Sequence, residues 1–188
     1  MVGPERQTEP TLSLVCSTIG RPEALGVLLD SVAACDGSER VEFVLVDQSV
    51  DRACMDVLAR HPLGQQARSA TSRRGLSVGR NVGLTLASGP IVAFPDDNCW
   101  YPPETFSQAL DFLDERPDLA GVSGIQVTAD RNPSMLRWLQ EPTLITRSNF
   151  MRTSISSTLF LRRSALPSRT PFGGIVNTCG SACFRRPP

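Results

Sequence analysis

The chain has 188 residues, enough for one domain with a substantial core. Its 19 basic and 19 acidic side chains cancel, so charge favours neither nucleic acid nor a polybasic membrane contact. Apolar content of 40% is that of an ordinary globular protein, no apolar run reaches the ~18 residues that span a bilayer, and every basic side chain is arginine, which excludes Schiff-base and P-loop lysine chemistry.

Residues 1–10 are polar, carry two prolines and read as a frayed tail. "LSLVCS" (residues 12–17) reads as a buried strand. A helix follows, with Pro22 in its first turn and Leu25, Leu28, Leu29 and Val32 on one face. "VEFVLVD" (residues 41–47) is a second strand, rich in β-branched residues. Residues 51–60 form a short helix and 66–71 a weak strand. Gly75 marks a turn, Ser77 is a candidate cap, and the helix beyond it runs to Gly89. "PIVAF" (90–94) is a central-type strand, and an amphipathic helix follows between Pro103 and Pro117. Residues 119–127 read as a strand, a short helix opens at Asn132-Pro133, and "SISSTLFLRRSAL" reads as a strand entering a helical turn.

This β-α alternation is the pattern of an α/β, doubly wound, mostly parallel open sheet with helices on both faces. Such sheets bind ligands outside the carboxyl ends of their strands. Four segments fall there: residues 17–21, 47–51, 73–80 and 96–101, all of them polar. Asp96, Asp97 and Asn98 offer hard oxygens that suit Mg2+ or Mn2+, or else form a turn with a helix cap. Asp47 suits a ribose or base edge, or a plain turn. Arg73, Arg74 and Arg80 suit phosphate oxygens, with a solvated surface as the other reading.

Other chemistries find no support. The six cysteines form no CxxC, and the single histidine, His61, sits beside Pro62 in an expected surface loop, so zinc is disfavoured. The N-terminus carries no signal-peptide pattern, which points to reduced, cytoplasmic thiols. No GxGxxG, GxxxxGK[ST] or GxSxG is present, which argues against dinucleotide oxidoreductases, P-loop NTPases and serine hydrolases.

Four segments in order resemble the nucleotide-sugar-dependent glycosyltransferases of family 2, which have the GT-A fold: "LSLVCSTIGRPEALGVLLDSV", "VEFVLVDQSVD", "RRGLSVGRNVGLTLASG" and "IVAFPDDNCWYPPETF". The resemblance implies an inverting transfer of sugar from a nucleoside diphosphate, UDP above all, to a glycan or lipid-linked acceptor in polysaccharide or cell-wall synthesis. It implies a cytoplasmic protein, with peripheral contact at the inner membrane face. It places Ser17, Thr18 and Arg21 in the nucleotide pocket and Asp47 at the base or ribose. Arg80 and Arg74 would contact the nucleotide or diphosphate, and Asp96 the ribose or the metal. Asp97 and Asn98 would complete a DxD-type Mn2+ or Mg2+ site, and Trp100 and Tyr101 would face an acceptor sugar, unless they pack under the sheet.

Three regions follow: the tail 1–10, a nucleotide-sugar-binding half 11–130, and a partial acceptor-side half 131–188. In the last of these the chain departs from the family. After Asp130 the only acid is Glu141, which makes it the candidate base, and residues 142–188 hold no acid. "RTPFGGIVNTCGSACFRRPP" keeps the family's Phe and glycines without its carboxylates, as a truncation or shifted reading frame near Pro171 would produce. A binder without the general base is therefore the alternative function, and a sugar nucleotidyltransferase the third.

Overall fold

The computed structural model describes residues 11–124, 128 and 159–166. The expected helix at 132, Glu141 and residues 167–188 lie outside the described residues, as do residues 125–127 of the expected strand.

Among the described residues six strands form a single sheet: β1 (Leu12–Thr18), β2 (Val41–Asp47), β3 (Arg68–Thr71), β4 (Ile91–Ala93), β5 (Gly121–Ser123) and β6 (Leu159–Arg162). The order across it is β3-β2-β1-β4-β6-β5, and β6 alone runs against the others. β2 is buried at all of its positions, as its continuous apolar run requires in a strand covered on both faces. β3, at the edge, is largely exposed. From β1 the chain winds outward to β2 and β3, then returns to place β4 on the other side of β1. That reversal is the switch point where open α/β sheets form a crevice.

Alternate residues on each strand point to opposite faces. Leu12, Leu14 and Cys16 of β1 join Phe43 and Leu45 of β2 in the larger core. Three helices close it: α1 (Pro22–Ala33), α2 (Ala53–Arg60) and α4 (Thr105–Glu115). The buried residues of α1 are Leu25, Leu28, Leu29 and Val32, the face that the sequence periodicity predicts. His61 is largely covered rather than exposed, with a side chain 13% accessible. It bridges α2 to α1 through Asp30 at 3.3 Å and accepts from the Leu63 amide.

The opposite face carries Val15, Val44 and Val92 under a single helix, α3 (Leu76–Leu86). This helix lies close to the sheet because it presents glycine there. A Cβ on Gly83 would fall 2.3 Å from Val15 Cγ1, and one on Gly79 would fall 2.0 Å from Ser17 Oγ. Its N-cap is Gly75 rather than Ser77. Gly75 has φ +138°, a region open to glycine, and its amide donates to Gln48 Oε1 at 3.2 Å. Arginines close the carboxyl ends of α3 and α4. Arg163 Nη1 and Arg68 Nη1 donate to Ala87 and Leu86 carbonyls of α3 at 2.5 and 3.1 Å, and Arg162 donates to Leu113 of α4. The chain emerging from β6 thus ties both layers to the sheet.

Candidate functional site at the strand carboxyl ends

The parallel register puts Thr18, Asp47 and Thr71 side by side at the ends of β1, β2 and β3. The loop after β4 brings Asp96 to Tyr101 to the same end. Thr18 joins the two acids that matter most. Its backbone pairs with Asp47, while its hydroxyl donates to Asp97 Oδ2 at 2.6 Å. Arg21, in the turn between β1 and α1, donates from Nη1 to Asp97 Oδ1 at 3.1 Å. The Asp97 side chain is 9% exposed and that of Arg21 58%.

Asp47 is fully buried. Its Oδ1 accepts from the amide and hydroxyl of Ser49 at 2.9 and 2.5 Å. Its Oδ2 is buried with no hydrogen-bond partner among the described residues. Buried polar atoms are nearly always paired, so this one marks unspent acceptor capacity. Cys54, at the start of α2, lies 3.6 Å from the Thr18 hydroxyl. Burial raises its thiol pKa, and the nearby Asp47 and Asp97 charges push the same way.

The arginines divide. Arg80 is buried, lies 3.5 Å from Asp96 Oδ1 and stacks its guanidinium 5.3 Å from the centre of the Phe94 ring. Arg73 and Arg74 are exposed in the loop before α3. Gln48 holds that loop in place: its Nε2 donates to Ser72 Oγ and to the Arg73 and Gly75 carbonyls at 2.7, 2.8 and 3.0 Å. Sequence reasoning passed over Gln48; the signal was a polar amide continuing a buried strand past Asp47.

The end of α1 fixes the loop after β4 in a similar way. The Tyr101 amide donates to Ser31 Oγ at 3.1 Å, Cys35 Sγ donates to the Pro102 carbonyl at 3.2 Å, and the Asp36 amide donates to the Pro103 carbonyl at 2.8 Å. Burial, with Asp36 and Glu104 nearby, pushes the Cys35 thiol up to about 12. Tyr101 is 2% exposed and packs its ring 4.8 Å from that of Phe106, while Trp100 is half-buried. Asn98 is half-buried next to Asp97, and Ser17 half-buried below Gly79.

Among the described residues no group of three or more His, Cys, Asp or Glu is placed to hold a metal ion. Asp97 and Asn98 still fit a hard cation of the Mg2+ or Mn2+ kind, which takes one or two protein oxygens and fills its remaining positions with phosphate and water. A carboxylate has about four lone-pair positions, so Asp97 keeps acceptor capacity beyond Thr18 and Arg21.

The family described as "Glycosyl transferase family 2" matches residues 13–186. No curated protein matches the chain. Among solved structures, the mannosyltransferase PcManGT from Pyrobaculum calidifontis, in complex with GDP-Man and Mn2+, aligns with a TM-score of 0.60 at 20% identity, over 84% of this chain and 46% of that one. Residues 1–349 of S. aureus TarS align with a TM-score of 0.58 at 18% identity, over 81% of this chain and 47% of that one. The same protein in complex with UDP-GlcNAc aligns at 0.52 and 22% identity, over 72% of this chain and 37% of that one. At these identities the likeness is one of fold, and the chain spans less than half the length of each.

Proposed function

The chain belongs to glycosyl transferase family 2, with a GT-A-type sheet and the character of a glycosyltransferase-like enzyme, and from that premise we propose that it transfers a sugar from a nucleoside diphosphate with inversion. The observation that carries this reading is the junction at Thr18. One residue at the switch point lies beside a buried carboxylate with a spare oxygen and hydrogen-bonds a second carboxylate at the crevice.

Each acid then has its task. An ionised Asp47 can only accept, so Oδ2 requires an N–H or O–H donor from the ligand. The ring N–H of uracil or guanine, the exocyclic amine of cytosine and the ribose hydroxyls all supply such a donor. UDP is the proposed carrier, in line with the complex of TarS with UDP-GlcNAc, and GDP, as with PcManGT, is the competing base. Asp97 with Asn98 would hold Mn2+ or Mg2+. When bound, that ion supplies neutralisation of the charge gathering on the departing diphosphate. Exposed Arg74 reaches phosphate from the loop that Gln48 fixes, and buried Arg80 orients Asp96 towards the ribose. Ser17, Thr18 and Arg21 line the nucleotide side, and Trp100 lies towards the acceptor. Tyr101 acts from beneath, by fixing the loop through its packing on Phe106. Proton removal from the acceptor hydroxyl falls to Glu141, the only acid after Asp130. The acceptor is a glycan or a lipid-linked sugar, and no helix among the described residues is long and apolar enough to cross a membrane.

A second reading, donor binding without transfer, is favoured by the lack of any acid in residues 142–188. One experiment separates them. UDP with Mn2+ at a hundredfold excess over Kd raises Tm by about 5–10 °C under either reading. Hydrolysis or transfer of a UDP-sugar appears under the first reading alone. No shift with UDP or GDP overturns both.

A further inference from the structure

Asp97 has two partners of opposite character. Thr18 is 1% exposed, sits at the end of a central strand and bonds Oδ2 at 2.6 Å. Arg21 is mostly exposed and touches Oδ1 through a single nitrogen at 3.1 Å. It follows Gly20, which has φ +62° in the turn between β1 and α1, and it is the N-cap of α1 without a side-chain cap bond. A buried threonine on a strand is a fixed donor. An exposed arginine whose side chain makes one contact among the described residues is exchangeable, since an ion pair so wet is weakly held.

We infer that Arg21 is a placeholder cation: it neutralises Asp97 at Oδ1 until a divalent ion takes that oxygen, and then turns its guanidinium to the donor diphosphate. This deepens the proposed reading of the site and rests on it. Two cations at one carboxylate repel each other, so the arginine and the metal compete. The guanidinium then keeps its value, because its planar fork suits phosphate as well as carboxylate. Thr18 remains in place throughout and holds Asp97 in one orientation. The result is a residue with two opposed effects: it weakens binding of the metal alone, and it strengthens binding of the nucleotide alone by neutralising the Asp97 charge that would repel the diphosphate.

The test uses the full chain, with Mn2+ alone followed by electron paramagnetic resonance and UDP alone followed by calorimetry. Arg21→Met removes the charge and keeps much of the stem; Arg21→Lys keeps the charge. Arg21→Met is expected to bind Mn2+ about fivefold more tightly and UDP about fivefold more weakly than the wild type, with Arg21→Lys restoring the wild-type metal affinity. Arg21→Gln repeats the measurement should Arg21→Met fail to fold. Unchanged or weakened Mn2+ binding by the folded neutral variant overturns the inference and leaves the proposed function standing, provided that the wild type binds both ligands. A wild type that binds neither Mn2+ nor UDP overturns both.

Discussion

Strand β2 carries two buried carboxylates, Glu42 near one end and Asp47 at the other, and they are treated in opposite ways. Glu42 is saturated. Its Oε2 accepts from Ser13 Oγ and the Ser88 amide at 2.7 and 2.8 Å, its Oε1 accepts from Ser88 Oγ at 3.0 Å, and Arg68 Nε pairs with Oε1 as an ion pair at 2.8 Å. Ser13 in turn accepts from the Gly89 amide at 2.9 Å, so the network ties β1, β2 and the turn before β4 together. Asp47 has one oxygen held twice by Ser49 and the other unpartnered among the described residues. The same strand thus uses one acid to close the fold and keeps another incomplete at the crevice. A fully paired buried charge serves structure, whereas a held but unsatisfied one implies a ligand.

The largest expected effect falls at the incomplete end. Asp97→Ala should lower UDP-sugar turnover by at least about a hundredfold, measured by release of UDP, while Tm moves little. Equal loss of turnover and folding would erase the contrast between the two ends. The sharper comparison is between isosteric changes on β2 itself. Glu42→Gln should cost about 2–3 kcal/mol in denaturant unfolding, because three donors lose a charged acceptor and Arg68 loses its ion pair. Asp47→Asn should cost no more than about 1 kcal/mol, since Ser49 keeps its acceptor, yet weaken UDP binding about tenfold in calorimetry. If the two variants unfold alike, the division of labour on β2 is wrong.

The smallest effect concerns the clamp that holds the Asp97 loop to α1. The Cys35 thiol stays protonated up to about 12 in the folded chain, against an ordinary value of 9.0. Between those values the unfolded chain has released the proton and the folded chain has not. Stability is therefore fully present below pH 9.0 and declines as pH rises towards the folded value. Denaturant midpoints taken from about pH 8 to about pH 10.5 should fall in the wild type and fall less steeply in Cys35→Ala.

Much of the fold was legible because burial imposes a period. The α1 face at Leu25, Leu28, Leu29 and Val32 and the unbroken run of β2 follow from residue spacing alone. The site was legible as a set of places. Parallel strands align their carboxyl ends, so Thr18, Asp47 and Asp97 could be assigned to one region without knowing what touches what. The roles within it were harder to read. Arg74 and Arg80 look equivalent in sequence, yet one is exposed and the other is buried against Asp96 and Phe94. Ser77 looked like a cap, but the Gln48 side chain had already fixed Gly75 in that position.

The sequence by itself determined the fold class, the family and the clustering of acids at the strand ends, because these rest on local periodicity and on short ordered motifs. Only the tertiary structure decided which carboxylate oxygens are already satisfied. Thr18 and Arg21 reach Asp97 across 79 and 76 residues, and Ser88 reaches Glu42 across 46. Hydrogen-bond saturation is set by such distant neighbours, so two acids five places apart on one strand read alike in the chain and differ in the folded protein.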